Sequence, residues 1–204
     1  LDYFGIRGCP RLHKALGKVM SEENLEILYQ IRSELPVLRE LETRRNAGKL
    51  TPEEEARWIQ LYAGVLRLFG TRHGKLLEQR KSMRVPLRIK VNFSVQGEQF
   101  YCMSHDISTQ GIAVEFNHRI PEEAEVMMSI HLRPYRLFGL LKGPPIETAS
   151  VIRWRSVEAN RIGFAFKNLA SSHRKLIEDT VFKQIEQRLQ KVIKEGKLLA
   201  AAQG

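Results

Sequence analysis

Leu87-Arg88-Ile89-Lys90-Val91-Asn92-Phe93-Ser94-Val95 alternates apolar and polar side chains without a break. A period of two sends one set of side chains into a core and the other into water, so this stretch predicts a half-buried β-strand. Gln96-Gly97 then turns the chain, and residues 100–103 make a second strand. Residues 111–116, 125–132, 148–157 and 161–166 supply four more, with turns at 117–121 and 158–160. Six short strands at this spacing predict a small antiparallel β-barrel.

Both flanks change period, which makes the whole chain α+β. Toward the N-terminus, Ser21 stands as an N-cap before Glu22 and Glu23. Leu25, Leu28, Tyr29, Ile31, Leu35 and Leu38 then recur at helical spacing. Pro36 lacks an N–H and crowds the preceding turn, so it kinks or divides that helix. Gly48 is the expected C-cap. Thr51-Pro52-Glu53-Glu54 starts a further helix, with Thr51 capping, Pro52 in the first turn and Glu54 closing a capping box. Trp58, Leu61, Tyr62, Val65, Leu66 and Phe69 follow on one face, giving a hairpin of two antiparallel helices. A short helix is also expected across residues 11–20. Toward the C-terminus, Leu176, Ile177, Val181, Ile185, Leu189, Val192 and Leu199 form a long apolar stripe behind Ser171 or Ser172. That stripe predicts a helix of up to ~25 residues. It packs within the chain or pairs with another copy as a short coiled coil. The expected organisation is a helical region over residues 1–77, a barrel domain over 78–170 and a C-terminal helix over 171–204.

Composition narrows the function. The 204 residues are 43% hydrophobic and carry a net charge of +10. Residues 80–170 hold 13 basic and 8 acidic side chains, so the barrel is the place to seek an anionic partner. No apolar run approaches the roughly 20 residues that cross a bilayer, and no secretory-signal pattern opens the sequence. Cys9 and Cys102 lie far apart, which argues against a disulfide framework. A reduced cytoplasm is the expected setting. The six histidines (His13, His73, His105, His118, His131, His173) show no metal-ligand spacing, and no nucleophile or phosphate-loop motif occurs. Glu122-Glu123 reads as a solvated pair on a turn. No active site is expected, catalytic or metal-bound.

Two features of the basic middle third stand together. Arg80-Lys81-Ser82-Met83-Arg84 leads into the first strand, and its guanidinium groups can grip phosphate oxygens and a guanine Hoogsteen edge. Alone, it is a weak signal and reads better as a solvated helix face. Asp106-Ile107-Ser108-Thr109-Gln110-Gly111 stands between strands two and three. There Asp106 can accept from a guanine edge or orient an arginine, Ser108 can donate to phosphate, and Gly111 permits close backbone approach or a positive φ. Alone, it reads as an Asx or Ser turn.

In this order and setting the two features resemble the PilZ domain family, whose signature is RxxxR before the first barrel strand and [D/N]xSxxG after the second. Val85-Pro86-Leu87, Gly111-Ile112-Ala113 and Arg161-Ile162-Gly163-Phe164-Ala165-Phe166 followed by a helix add to the likeness, which spans about residues 78–190. The resemblance implies binding of cyclic di-GMP without turnover. Arg80 and Arg84 would hold phosphate and guanine, with Lys81 adding charge where the family often has arginine. Asp106 would meet a guanine edge, and Ser108 and Gly111 the ligand backbone and base. Trp154 would stack on guanine or is a plain barrel-face aromatic. Gln79 occupies the position associated with ligand stoichiometry. Repulsion among the cations predicts a mobile 79–84 segment that a bound ligand clamps, reorienting the helical region.

Three functions compete on these grounds. The first is a second-messenger receptor signalling to a protein effector in motility, biofilm or polysaccharide control. The second is a ligand-independent adaptor, binding partners through the long C-terminal helix and the loop at 133–145 with Leu137, Phe138, Leu140 and Leu141, a loop that otherwise serves as a flap on the barrel. The third is a nucleic-acid-binding barrel using Tyr101, Trp154 and Phe100, disfavoured because so few aromatics interleave with the cations. Self-association through the helices remains open in each.

Overall fold

The structure is a computed structural model that describes residues 22–69, 80–118, 120–121, 124–132 and 144–201. The Ser21 cap, the helix at 11–20, Gln79, Glu122-Glu123 and the apolar part of the loop at 133–145 lie outside the described residues. In chain order the elements are α1 (Glu22–Ser33), α2 (Leu35–Asn46), α3 (Pro52–Leu68), β1 (Val85–Pro86), β2 (Lys90–Val95) and β3 (Glu98–Ser108). Then come β4 (Gly111–Glu115), β5 (Val126–Ile130), β6 (Ile146–Ser156), β7 (Arg161–Phe166) and α4 (Ser171–Ala201).

Two units divide the chain, one of residues 1–44, 50–78 and 186–204, the other of 45–49 and 79–185. In the helical unit, Pro36 splits the N-terminal helical pattern into α1 and α2 as its missing N–H requires. Gly48 has φ +67, the left-handed cap expected there. Thr51 accepts from the Glu54 N–H at 3.3 Å while Glu54 accepts from the Thr51 N–H at 3.0 Å, completing the capping box. Trp58, Tyr62, Val65 and Leu38 are buried. The Trp58 indole donates to the buried Glu42 carboxylate at 2.8 Å, while Arg44 and Arg57 pair with Glu54 and Glu34. Arg188 of α4 donates to the Leu68 carbonyl at 2.9 Å, satisfying an acceptor that the end of α3 leaves open.

In the other unit the strands run β3-β2-β5-β6-β7-β4, and β4 pairs back onto β3, closing a six-stranded antiparallel barrel. The short β1 adds a seventh strand on β3. Closure works because β3 runs for 11 residues, far beyond the stretch at 100–103 expected from the sequence. Its first half pairs with β2, and beyond a bulge between Ser104 and Asp106 its second half pairs with β4 and β1. The same bulge explains why the alternation at 87–95 is not one strand. Ser104 accepts from the Ile89 N–H at 2.9 Å and donates to the Leu87 carbonyl, so a side chain takes over bonds that a continuous ladder would supply. Val91, Phe93, Ile107, Val114, Met128 and Ile162 fill the interior, each contributing about 1.5–3 kcal/mol by burial. Phe93 lies at the centre of an aromatic cluster with Phe100, Phe116 and Phe164, centroids 5.1 to 5.4 Å away. Phe100 is therefore a packing residue rather than an exposed stacking platform. Helix α4 spans 31 residues, longer than the sequence pattern indicated.

Candidate ligand-binding site

The pairing of β1 with β3 brings the two motifs together. Val85 lies opposite Ile107 and Pro86 opposite Asp106. Continuing that register sets Arg84 level with Ser108. Asp106 and Ser108 thus stand on β3 itself, and only Thr109-Gln110 form the turn before β4.

The RxxxR segment is anchored rather than loose. Ser82, Met83 and Val85 are buried, Arg80 and Arg84 are half-buried, and Lys81 is exposed. The Arg45 guanidinium donates from Nε at 3.0 Å and from Nη2 at 2.7 Å to the main-chain carbonyl of Arg80. Self-repulsion of the cations is opposed here by apolar burial and by this fork.

Each residue of the second motif has a distinct setting. Ser108 is buried; its hydroxyl donates to the Gly111 carbonyl at 3.2 Å and accepts from the Gln110 N–H at 3.3 Å. Gly111 has no positive φ, contrary to one of its expected uses. A Cβ there would stand 2.2 Å from the Phe164 carbonyl oxygen, so close approach of β4 to β7 is what demands glycine. Asp106 receives His105 Nδ1 on Oδ2 at 3.1 Å. Its other oxygen, Oδ1, is buried and has no hydrogen-bond partner among the described residues. Desolvating a carboxylate oxygen without a donor is costly.

The register also connects Asp106 to Trp154. Asp106 pairs with Ala113, Ala113 with Gly163, and Gly163 with Trp154, one rung crossing β3, β4, β7 and β6. A Cβ on Gly163 would lie 2.1 Å from Trp154 Nε1, so the indole lies directly over that glycine. Ile107, Ile112 and Phe164 point into the core, so the alternating positions Asp106, Ala113, Gly163 and Trp154 share the outer face. The result is a strip floored by small residues, with a carboxylate at one end and a 37% exposed indole at the other. Three strand spacings of about 4.8 Å set the two ends roughly 14 Å apart along the sheet.

The PilZ domain family matches residues 78–183, more than half the chain. The chain belongs to that family. Among solved structures, this PilZ chain is similar to the Bacillus subtilis inhibitor of motility MotI/DgrA, at 18% identity and a TM-score of 0.41, covering 50% of this chain and 49% of MotI. It is similar to the PilZ domain of CeSA from a cellulose-synthesizing bacterium, at 17% identity and 0.36, covering 52% and 99%. It is also similar to Borreliella burgdorferi PlzA, solved in complex with c-di-GMP, at 17% identity and 0.34, covering 64% and 49%. The match thus spans about half the length of MotI and of PlzA. No curated protein matches.

Among the described residues no cluster of His, Cys, Asp and Glu could hold a metal ion, and no helix is long and apolar enough to cross a membrane. Sequence reasoning missed Arg45 and Asn46. Asn46 Oδ1 accepts from Thr109 Oγ1 at 3.1 Å and from Gln110 Nε2 at 3.4 Å. Nothing local in the sequence announces a contact across more than 30 residues; in isolation Arg45 and Asn46 are simply the end of a helix.

Proposed function

We propose that this PilZ protein is a non-enzymatic receptor for cyclic di-GMP that passes its occupancy to a protein effector or to a second copy of itself. The observation that supports it most is the β1–β3 pairing, which brings the segment of the half-buried arginine pair beside a buried carboxylate oxygen that has no hydrogen-bond partner among the described residues. Cyclic di-GMP offers groups that match both: phosphate oxygens for guanidinium, and guanine N1–H and N2–H donors for a carboxylate.

In this reading Arg80 and Arg84 take phosphate and the guanine Hoogsteen edge, and Lys81 adds charge without a planar fork. Asp106 Oδ1 accepts from guanine, and Trp154 offers a stacking face across the small-residue strip. Ser108 and Gly111 act first through the backbone, the hydroxyl holding the turn shape and the glycine letting the ligand and β7 approach. The setting is cytoplasmic, as a diffusible nucleotide signal requires, and the output is control of motility, biofilm or polysaccharide synthesis.

The test is a calorimetric titration of the chain with cyclic di-GMP beside GTP and cyclic GMP, repeated on Arg84→Ala. Selective, saturable heat that the substitution abolishes supports the receptor. If the intact chain shows neither heat nor a thermal shift, the receptor reading fails and a ligand-independent adaptor takes its place.

A further inference from the structure

The two motifs of the site are far apart in sequence, and one short segment from outside both of them touches each. Residues 45–49 are the last two residues of α2 and the link to α3, yet they group with the barrel rather than with the rest of those helices. Arg44 and Arg45 are neighbours with opposite allegiances: Arg44 pairs with Glu54 of α3, whereas Arg45 forks onto the Arg80 carbonyl. One residue later, Asn46 accepts from Thr109 and Gln110, the turn of the second motif. Thr109 is buried, so its hydroxyl depends on this partner in place of water.

We infer that Arg45 and Asn46 are positioning residues for the nucleotide site, a clasp that holds the RxxxR segment and the DxSxxG turn at fixed separation. The inference rests on the receptor reading above. The fork constrains the main chain at Arg80, leaving the direction of that residue's guanidinium, and of Arg84 four residues on, less free to wander. A charged donor sharing two N–H groups with one carbonyl makes a stronger tie than a neutral pair. Pre-ordering both halves of a site removes part of the entropy that binding would otherwise have to overcome. Because the clasp continues covalently into α2 and α3, it also gives ligand occupancy a route to the helices. By linkage, a clasp that tightens binding is itself tightened by the ligand.

The experiment uses the full chain and two variants, Arg45→Gln and Asn46→Ala, read by hydrogen exchange without ligand and by titration with cyclic di-GMP at 25 °C. Arg45→Gln is expected to speed exchange across residues 80–84, and Asn46→Ala across 108–111, with the barrel core unchanged. A merely structural role would raise exchange throughout and lower the melting temperature while leaving affinity below the transition unmoved. Each variant is expected to weaken cyclic di-GMP binding by about tenfold. Unchanged exchange at both motifs, or wild-type affinity in both variants alongside normal wild-type binding, overturns the clasp. No binding by the wild-type chain overturns the receptor reading and the ligand half of this inference together. Arg45→Lys keeps the charge and a donor but not the fork, so it should restore exchange protection and affinity together and only in part; full affinity with exchange at 80–84 still fast would mean that the cation attracts phosphate directly, and the positioning role would be overturned.

Discussion

Asp106 is where fold and function pull against each other. One carboxylate oxygen bonds His105 and the other is buried without a donor among the described residues. In the proposed receptor, that cost in the free protein is offset when the ligand binds. Asp106→Ala should therefore leave the melting temperature unchanged or raise it, while weakening cyclic di-GMP at least tenfold, because it removes the acceptor proposed for the guanine donors. Thermal melts and titration of the same sample check this, and wild-type affinity in the variant would remove Asp106 from the site. Cys102 shows the opposite condition, a polar group with no task. Burial first, and then the Glu115 carboxylate, push its thiol up to about 12, and its Sγ donates to the Val91 carbonyl at 3.5 Å. The thiolate is the reactive form, so in a Cys9→Ser background alkylation at pH 8 should run on the order of a thousandfold slower than for free cysteine. The rate should keep rising tenfold per pH unit above pH 10, where free cysteine has levelled off; a plateau near pH 9 would contradict the buried thiol.

At the level of strands, two glycines that look alike in sequence do different work. A Cβ at Gly111 would strike the Phe164 carbonyl, which belongs to the barrel wall and cannot swing away. Gly111→Ala should cost about 1–3 kcal/mol of stability, measured by denaturant unfolding, as β4 and β7 are forced apart. At Gly163 the obstacle is the Trp154 indole, a side chain that can rotate outward. Gly163→Ala should therefore spare stability and change Trp154 fluorescence, and any loss of ligand affinity would report on the indole's stacking role. Sequence reading recovered much at this scale. The capping box at Thr51, the split at Pro36, the left-handed cap at Gly48 and six barrel strands all follow from local rules. What it could not see was non-local. The alternation at 87–95 is real, but a Ser104 hydroxyl from another strand interrupts its ladder. The clasp at Arg45 and Asn46 carries no periodic or motif signal at all, because its partners are set by tertiary register. The RxxxR and DxSxxG motifs were legible because their residues are close in sequence within each half. That the halves meet through β1 was not.

For the molecule as a whole, the net charge of +10 is the feature most open to misreading. A basic barrel invites a nucleic-acid interpretation, but sequence-tolerant binding to single strands needs aromatic faces set among the cations. Phe100 is taken up by Phe93 and Phe116 in the core, which leaves exposed Tyr101 and Trp154 among the three candidates. Several cations are also matched within the barrel unit, as Arg88 is by both Glu115 oxygens at 3.1 Å and Lys167 by Glu125 at 3.4 Å. Binding to DNA or RNA should therefore be an affair of surface charge alone. Such binding loses several orders of magnitude between roughly 50 and 200 mM salt when many phosphates are neutralised, and it ignores sequence. A ligand with two phosphates held by half-buried guanidinium groups is screened far less, so its affinity should change by less than about tenfold over the same range. Gel shifts with unrelated duplexes and single strands, run beside cyclic di-GMP titrations at both salts, separate the two. Nucleic-acid binding that persisted at the higher salt with a sequence preference would shift the function of the basic barrel away from a small nucleotide. Loss of both ligands together would mean that the arginines act as a diffuse patch rather than as a built site.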